Sequence, residues 1–375
     1  MRSPVMIAIV YMILLLLGVY LYRYILRMVD LTKLSRKSKV VRIIVALICV
    51  AMLIAATRFM GYGLVLLAHV LVIAWISDGI HFIIKKVYKP FREESYLNKL
   101  YKSGLIPIVI TTIILSFGYF NMRNVRETDY QVYTKKNIRT EGYTIAMISD
   151  LHFPTTMDAE TLASYCEEIN SKNPDFVVLC GDIVDERTSR EEMQEAISIL
   201  SKIQNEFGIF YVYGNHDSAR YSTTPKFTTG DLNKTLVANN IKVLNDNSST
   251  VNGEITMIGR ADRGYGKDDT RIEMKSLLKE VDTSDFLLVL DHQPKELKEN
   301  AELGIDLQLS GHTHAGQLWP AGIIGEWLGA NEQNYGLLEN SNFISIVSSG
   351  IAGWGNSFRT AKHSEYVIIE LKPEK

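Results

Sequence analysis

Four stretches within the first 120 residues are apolar over lengths that suit a bilayer, and no fold in water would leave them uncovered. A membrane-crossing helix needs about 20 apolar residues, with a usual range of about 17–25. Val5–Leu21 and Leu64–Ile84 meet that length. Ile43–Thr57 and Leu105–Phe120 are a little short and need flanking residues or a thin bilayer. Four spans over 1–120 is therefore the expectation, with Ile43–Thr57 the weakest. No small-residue cleavage pattern follows Val5–Leu21, so that segment reads as an anchor rather than a removed signal.

Lys and Arg set the orientation. Arg23, Arg27, Lys33, Arg36, Lys37, Lys39 and Arg42 follow the first span, and Lys85, Lys86, Lys89, Arg92, Lys99 and Lys102 follow the third. Both basic loops are expected in the cytoplasm, which puts everything after Phe120 outside. Arg123, Arg126, Lys135, Lys136 and Arg139 pull the other way, but large domains translocate largely regardless of such charge. The expected location is thus the cell membrane, multi-pass, with an extracytoplasmic soluble domain.

His69, Asp78 and His81 interrupt the third span, and ionisable groups at membrane depth invite a transport reading. The plainer reading is a polar helix–helix contact near one end of the span. It is preferred because no second span supplies a charged partner.

Asn121–Gly142 is polar and reads as a linker or a first edge strand; the boundaries taken are a linker at 121–142 and a soluble domain at 143–375. The net charge of −2 gives no basic excess for nucleic acid, and Cys49, Cys166 and Cys180 form no disulfide framework. Cys49 and Cys180 suit small buried fillers.

From Tyr143 onward, short apolar strands alternate with amphipathic helices, the pattern of a sheet covered on its faces. Such sheets bind ligands at the carboxyl ends of their strands. Five strands deliver polar groups there: Tyr143–Ser149 into Asp150 and His152, Phe176–Cys180 into Asp182 and Asp185, and Ile209–Tyr213 into Asn215, His216 and Asp217. Phe286–Leu290 leads into Asp291 and His292, and Asp306–Leu309 into His312 and His314. Carboxylate oxygen and imidazole nitrogen are ligands for Mn, Fe or Zn. One carboxylate can bridge two cations, and two cations about 3.5–4 Å apart can clamp both oxygens of an in-line phosphoryl displacement. Glycines before Asp182, Asn215 and His312 remove side-chain bulk where the backbone turns into the site.

The ordered set Asp-x-His, Gly-Asp-x-x-Asp, Gly-Asn-His-Asp, His and Gly-His-x-His resembles the calcineurin-like metallophosphoesterases over about Tyr143–Leu371. Gly-His-Thr-His-x-Gly-Gln (Gly311–Gln317) and the late Gly-rich turn Ser349–Gly353 look most like the membrane-associated bacterial branch. The resemblance implies an α/β fold, a four-layer αββα sandwich of two mixed sheets, preceded here by an α-helical transmembrane region. It implies Asp150, His152 and His314 on a first metal, Asn215, His292 and His312 on a second, and Asp182 bridging them. It also implies that His216 donates a proton to the leaving oxygen or binds the phosphoryl group, with Asp217 orienting it. The cofactor expected is two divalent metal ions (Mn, Fe or Zn), with manganese favoured.

The branch with arginines directly after the Gly-Asp and Gly-Asn-His motifs is not matched, since Glu186 and Ser218 stand there. Arg187, Arg220, Arg260 and Arg359 are left as phosphate contacts. The expected activity is a phosphodiesterase or pyrophosphatase acting on a cell-envelope or lipid-linked phosphate. The alternatives are a phosphomonoesterase, or a non-catalytic membrane signalling or transport protein that binds metal. Asp185 reads as a loop-stiffening residue more readily than a ligand, and Asp291 as an outer-lying carboxylate. Trp319, Trp327 and Trp354 read either as core or as an apolar lip for a lipid tail. Nothing in the sequence fixes an oligomeric state.

Overall fold

The computed structural model describes residues 4–58, 61–87, 95–218, 221–263, 271–340 and 342–374. The chain divides into two compact units, Met1–Phe117 and Gly118–Lys375.

Unit 1 is helical. Its long helices are α1 (Pro4–Val29), α2 (Lys39–Arg58) and α3 (Tyr62–Val87), followed by the short α4 (Tyr96–Ser103) and the start of α5 (Leu105–Arg123). Four of these, α1, α2, α3 and α5, are long and apolar enough to cross a membrane. The expected weakness of the second span disappears because its helix extends to Lys39 and Arg58. Leu21, Val45, Cys49, Ala56, Leu67, Leu71 and Ala74 form a core between α1, α2 and α3. Large apolar side chains such as Leu15, Leu47, Trp75 and Phe82 point outward and are more than three-fifths exposed, the surface a bilayer would cover.

One expectation fails here. A charged partner for Asp78 does exist: α1 continues helically past Leu21, and Arg27 pairs with Asp78. The hydroxyls of Tyr20 (2.7 Å) and Tyr101 (3.0 Å) also donate to the Asp78 carboxylate. The polar helix–helix contact is therefore an ion pair with two phenol donors. His69 bonds locally, Nδ1 lying 2.8 Å from Val65 O.

Unit 2 has two mixed six-stranded sheets. Its first sheet uses β1 (Val125–Thr134), β2 (Tyr143–Ile148), β3 (Phe176–Cys180), β4 (Ile209–Val212), β5 (Ile241–Val243) and β12 (Ser364–Pro373), in the order β1-β12-β2-β3-β4-β5. The second uses β6 (Asn247–Val251), β7 (Ile255–Gly259), β8 (Phe286–Leu290), β9 (Leu307–Ser310), β10 (Gly336–Asn340) and β11 (Phe343–Val347), in the order β10-β11-β9-β8-β7-β6. β2, β3, β4 and β5 run parallel, as do β7, β8, β9 and β11.

The period-2 alternation of strand side chains makes the four layers. Ile145, Met147, Val178 and Cys180 from the first sheet meet Met257, Leu288, Leu290 and Leu309 from the second in one buried core. The alternate residues Ala146, Ile148, Val177 and Leu179 pack outward on α6 (Ala159–Asn170), α7 (Arg190–Leu200) and α8 (Thr229–Ala238). On the far side Ile258, Leu287 and Val289 meet Met274 and Leu297 of two short helices. Asp158 caps α6, accepting from Thr161 N at 2.9 Å, and Ser189 with Glu192 forms a capping box on α7. Mixed α/β layers are thus the fold, as the sequence implied.

The polar segment after Phe120 is not a free linker. Residues 118–123 belong to unit 2, and β1 pairs in parallel with β12 along its whole ten-residue length. β1 escapes a periodicity search because its burial is irregular along the strand.

Candidate metal centre

The carboxyl ends of β2, β3 and β4 in one sheet and of β8 and β9 in the other carry the polar motifs. Backbone bonds continue between the loops past the strands: Asp150 N donates to Gly181 O (3.0 Å), His152 N to Asp182 O (2.9 Å), and Gly311 N to His292 O (3.0 Å). Two pockets of ligand atoms result. Asp150, His152 and His314 form one group; Asp182, His292 and His312 form the other.

In the first group, His152 Nε2 lies 3.2 Å from His314 Nε2, which lies 3.5 Å from Asp150 Oδ1. In the second, His292 Nε2 lies 3.1 Å from Asp182 Oδ2, and His312 Nδ1 lies 2.8 Å from Asn215 Oδ1. The Asp182 Oδ2 that faces His292 also lies 3.7 Å from His152 Nε2, so one carboxylate oxygen stands near a member of each group.

A cation fits this donor set. His292 Nδ1 is 2.8 Å from the carbonyl of Cys180, which fixes a ring proton on Nδ1 and turns Nε2 toward Asp182 Oδ2, 3.1 Å away. Burial lowers the His292 pKa, but Asp182 raises it well above the ordinary histidine value overall, so positive charge, as a proton or a metal cation, belongs between the two. Burial pushes His152, His312 and His314 down to about 3, so all three are neutral and free to ligate. Burial works against a charge on Asp182, but His292, His152 and His216 hold it below the usual carboxylate range.

The backbone is bent to reach this convergence. Asp150, His152, Asp182, His312 and His314 all have φ between 44° and 72°. Left-handed backbone is uncommon for residues with a Cβ, though Asp, Asn and His tolerate it best, and such strain of roughly 1–3 kcal/mol per residue gathers at functional sites. Two glycines give the clearance the sequence suggested. A Cβ at Gly214 would come within 2.2 Å of Asp182 Oδ1, and one at Gly311 within 2.3 Å of Asp150 Oδ2.

His216 borders both groups. Its ring centroid is 5.2 Å from that of His152, and its backbone N–H donates to Asp182 Oδ1 at 2.8 Å. Its orienting partner corrects an expectation. Nδ1 lies 2.9 Å and 3.0 Å from the two oxygens of Glu186, not beside Asp217. Burial lowers the His216 pKa, but the bond to Glu186 and the nearby Asp182 raise it above the ordinary histidine value overall.

Asp217 points elsewhere. Its carboxylate accepts from four backbone amides: Asp182 (2.9 Å), Ile183 (3.0 Å), Val184 (3.2 Å) and Gly214 (2.7 Å). It ties the β3 turn to the β4 turn and so holds Asp182 and Asn215 in register.

Of the four arginines considered for phosphate, two are withdrawn. Arg359 is fully buried and donates to the carbonyls of His314 (3.1 Å), Ser349 (2.8 Å) and Ala352 (2.6 Å). Arg260 is buried and donates to Asp246 (3.1 Å) and to Ile272 O (2.7 Å). Arg220 lies outside the described residues. Arg187 remains exposed at the rim, with Nη1 3.3 Å from Gly355 O. Arg359 also receives the end of α5: Asn121 Nδ2 donates to Arg359 O (3.0 Å) and Lys362 O (2.9 Å).

Asp185 stiffens its loop, accepting from Arg187 N at 2.7 Å, and stands 3.8 Å from His152 Nδ1. Asp291 is buried against Arg271 at 2.7 Å. The tryptophans are not core: Trp319, Trp327 and Trp354 are 65%, 83% and 47% exposed. Trp354 and Tyr221 flank His216 with ring centroids 5.4 Å and 5.0 Å away. Sequence reasoning missed Glu186 as a functional residue. The one signal available was an acid directly after Gly-Asp-x-x-Asp, where only the missing arginine had drawn notice.

The profile of the calcineurin-like phosphoesterase family matches residues 143–316. A metallophosphoesterase of Campylobacter jejuni is 30% identical over 314 residues, which are 81% of this chain and 78% of that one. A metallophosphoesterase of Helicobacter pylori J99 is 31% identical over 233 residues, 61% of this chain and 60% of its own length. A transmembrane protein with metallophosphoesterase domain from Danio rerio is 26% identical over 302 residues, 75% of this chain and 65% of its own length.

Proposed function

This chain belongs to the calcineurin-like phosphoesterase family, and from that premise we propose that it is a phosphoester hydrolase, an extracytoplasmic, two-metal phosphodiesterase or pyrophosphatase acting on a cell-envelope or lipid-linked phosphate. Asp150, His152 and His314 would hold one metal, Asn215, His292 and His312 the other, with Asp182 between them. The observation that carries this reading is the single Asp182 oxygen within 3.1 Å of His292 Nε2 and 3.7 Å of His152 Nε2. When bound, two cations supply Lewis acidity and a template for in-line displacement at phosphorus. Manganese is the favoured metal; the oxygen and imidazole donors suit iron and zinc as well.

The chain's own residues supply the proton and the positioning. Glu186 holds His216 Nδ1–H, which leaves Nε2 to give a proton to the departing oxygen. Asp217 locks the two turns that carry Asp182 and Asn215. Trp354 and Tyr221 offer an aromatic border for a leaving group.

A diester is favoured over a monoester because the arginines Arg260 and Arg359 are spent on the protein's own carbonyls and acids. A terminal dianionic phosphate calls for more cationic contact than a singly charged diester. The two Lys/Arg-rich loops of unit 1 support an extracytoplasmic hydrolase.

The test is hydrolysis of bis-p-nitrophenyl phosphate and p-nitrophenyl phosphate by the full-length protein in detergent with added Mn. The reading expects a higher kcat/KM on the diester, lost in Asp182→Asn and His216→Ala. Activity that survives both substitutions would overturn the site, and a monoester preference would overturn the diester reading alone.

A further inference from the structure

Unit 1 contains a cavity of about 570 Å³ that the hydrolase does not use. It lies where α1 and α3 end and α2 begins, and α4 contributes to its wall. Its charge is unbalanced. Arg23, Lys37, Arg42, Lys85 and Lys102 line it without an ion pair to any described acid. Its two carboxylates are already taken, Asp30 by Arg36 (3.0 Å) and Asp78 by Arg27.

Arg27 is the fixed point of this cavity. Its side chain is 12% exposed, one amino group pairs with Asp78, and the guanidinium sits 4.1 Å over the Tyr101 ring. Tyr20 and Tyr101 hold Asp78 from the other side. The remaining donors, Nε and Nη2, are buried without a hydrogen-bond partner. Those donors are covered by the Tyr24 and Tyr101 rings, whereas the five cations around the cavity repel one another and are costly to gather unless an anion joins them. A topology signal alone requires Lys and Arg near the span ends. It does not require them to converge from four helices and a loop on one concave site.

We propose that this cavity binds a phosphate-bearing anion, with Arg27 at its base and Arg23, Arg42 and Lys102 around it. The planar guanidinium of Arg23 or Arg42 suits two phosphate oxygens at once, and the volume suits a phosphate or pyrophosphate group with a small substituent. The same chemistry is offered by an anionic phospholipid headgroup and by free pyrophosphate; basic pockets between membrane helices are known to take the former. The proposal does not rest on the hydrolase reading.

The test uses the full-length protein in detergent and the variant Arg23→Gln/Arg42→Gln/Lys102→Gln. Retention of dioleoylphosphatidylglycerol over dioleoylphosphatidylcholine is measured by native mass spectrometry, and pyrophosphate binding by calorimetry. The metal centre is unchanged in both proteins, so the reading is the difference between them. A preference for the anionic lipid that falls roughly tenfold to a hundredfold in the variant assigns the site to a headgroup. Pyrophosphate binding that falls likewise, without a lipid preference, assigns it to a soluble anion. The charge-keeping variant Arg23→Lys/Arg42→Lys/Lys102→Arg should bind as the parent does, which separates loss of charge from loss of fold. No difference between parent and Gln variant for either probe overturns the proposal, as does equal loss in the charge-keeping variant.

Discussion

Glu186 holds His216 in place: both of its carboxylate oxygens lie within 3.0 Å of His216 Nδ1. This pairing joins the loop after β3 to the loop after β4 across thirty residues of sequence. It divides labour between two acids that sequence alone would confuse, one that orients the imidazole and one, Asp217, that fastens the backbone.

Glu186→Gln is expected to lower kcat by about 10–100-fold while leaving bound metal unchanged, since partners that orient a functional imidazole carry effects of that size. Steady-state kinetics together with metal analysis checks this. Loss of metal with kcat retained in the loaded fraction would refute the assignment.

Asp217→Ala should behave differently. It strips the acceptor from four buried amides, and unsatisfied buried donors cost about 1–3 kcal/mol each before relaxation. A net loss of roughly 3 kcal/mol is expected, seen as a lower thermal midpoint, with reduced metal retention because Asp182 and Asn215 lose their register.

Chelation should abolish hydrolysis and lower the thermal midpoint of the soluble unit, because it removes the cations from a buried cluster of carboxylate and imidazole groups. Metal content measured by mass spectrometry should fall from two ions to one or none per chain in Asp182→Asn. Two ions retained in that variant would exclude a bridging role.

Glu365 gives a pH prediction away from the metals. It is fully buried and accepts from Ser349 N (2.8 Å) and Tyr335 OH (2.9 Å). Burial alone would raise its pKa, but bonds from His363, Thr128, Ser349 and Tyr335 hold it below the ordinary value of 4.5. A depressed carboxylate stabilises the fold fully above its unfolded pKa and loses that contribution as pH falls through the folded value. The stability gap between the parent and Glu365→Gln should therefore be largest near neutral pH and narrow below pH 4.5, as chemical denaturation at a series of pH values would show.

The candidate ligands could be named from the sequence because their chemistry is local. Asp150, His152, Asp182, Asn215, His292, His312 and His314 each follow an apolar strand directly, and strand ends share one rim of a parallel sheet. A sheet covered by helices followed from the strand–helix alternation, the four layers only from the family resemblance, and the membrane-length helices from length and hydropathy. β1 stands at a sheet edge, one of the two readings of its segment, whereas β6 and β10 were not legible. Their side chains are mixed in polarity, and their identity depends on pairing with β7 and β11 rather than on their own sequence.

What the sequence determined, then, is which side chains can ligate metal, where each strand delivers them, and that four early stretches are long and apolar enough to cross a bilayer. Tertiary structure alone decided who partners whom. Glu186 rather than Asp217 reaches His216, Arg359 turns inward to carbonyls instead of outward to phosphate, and Arg27 finds Asp78 on another helix. Such pairings depend on the direction of a side chain after the backbone has bent, which residue type and spacing do not encode.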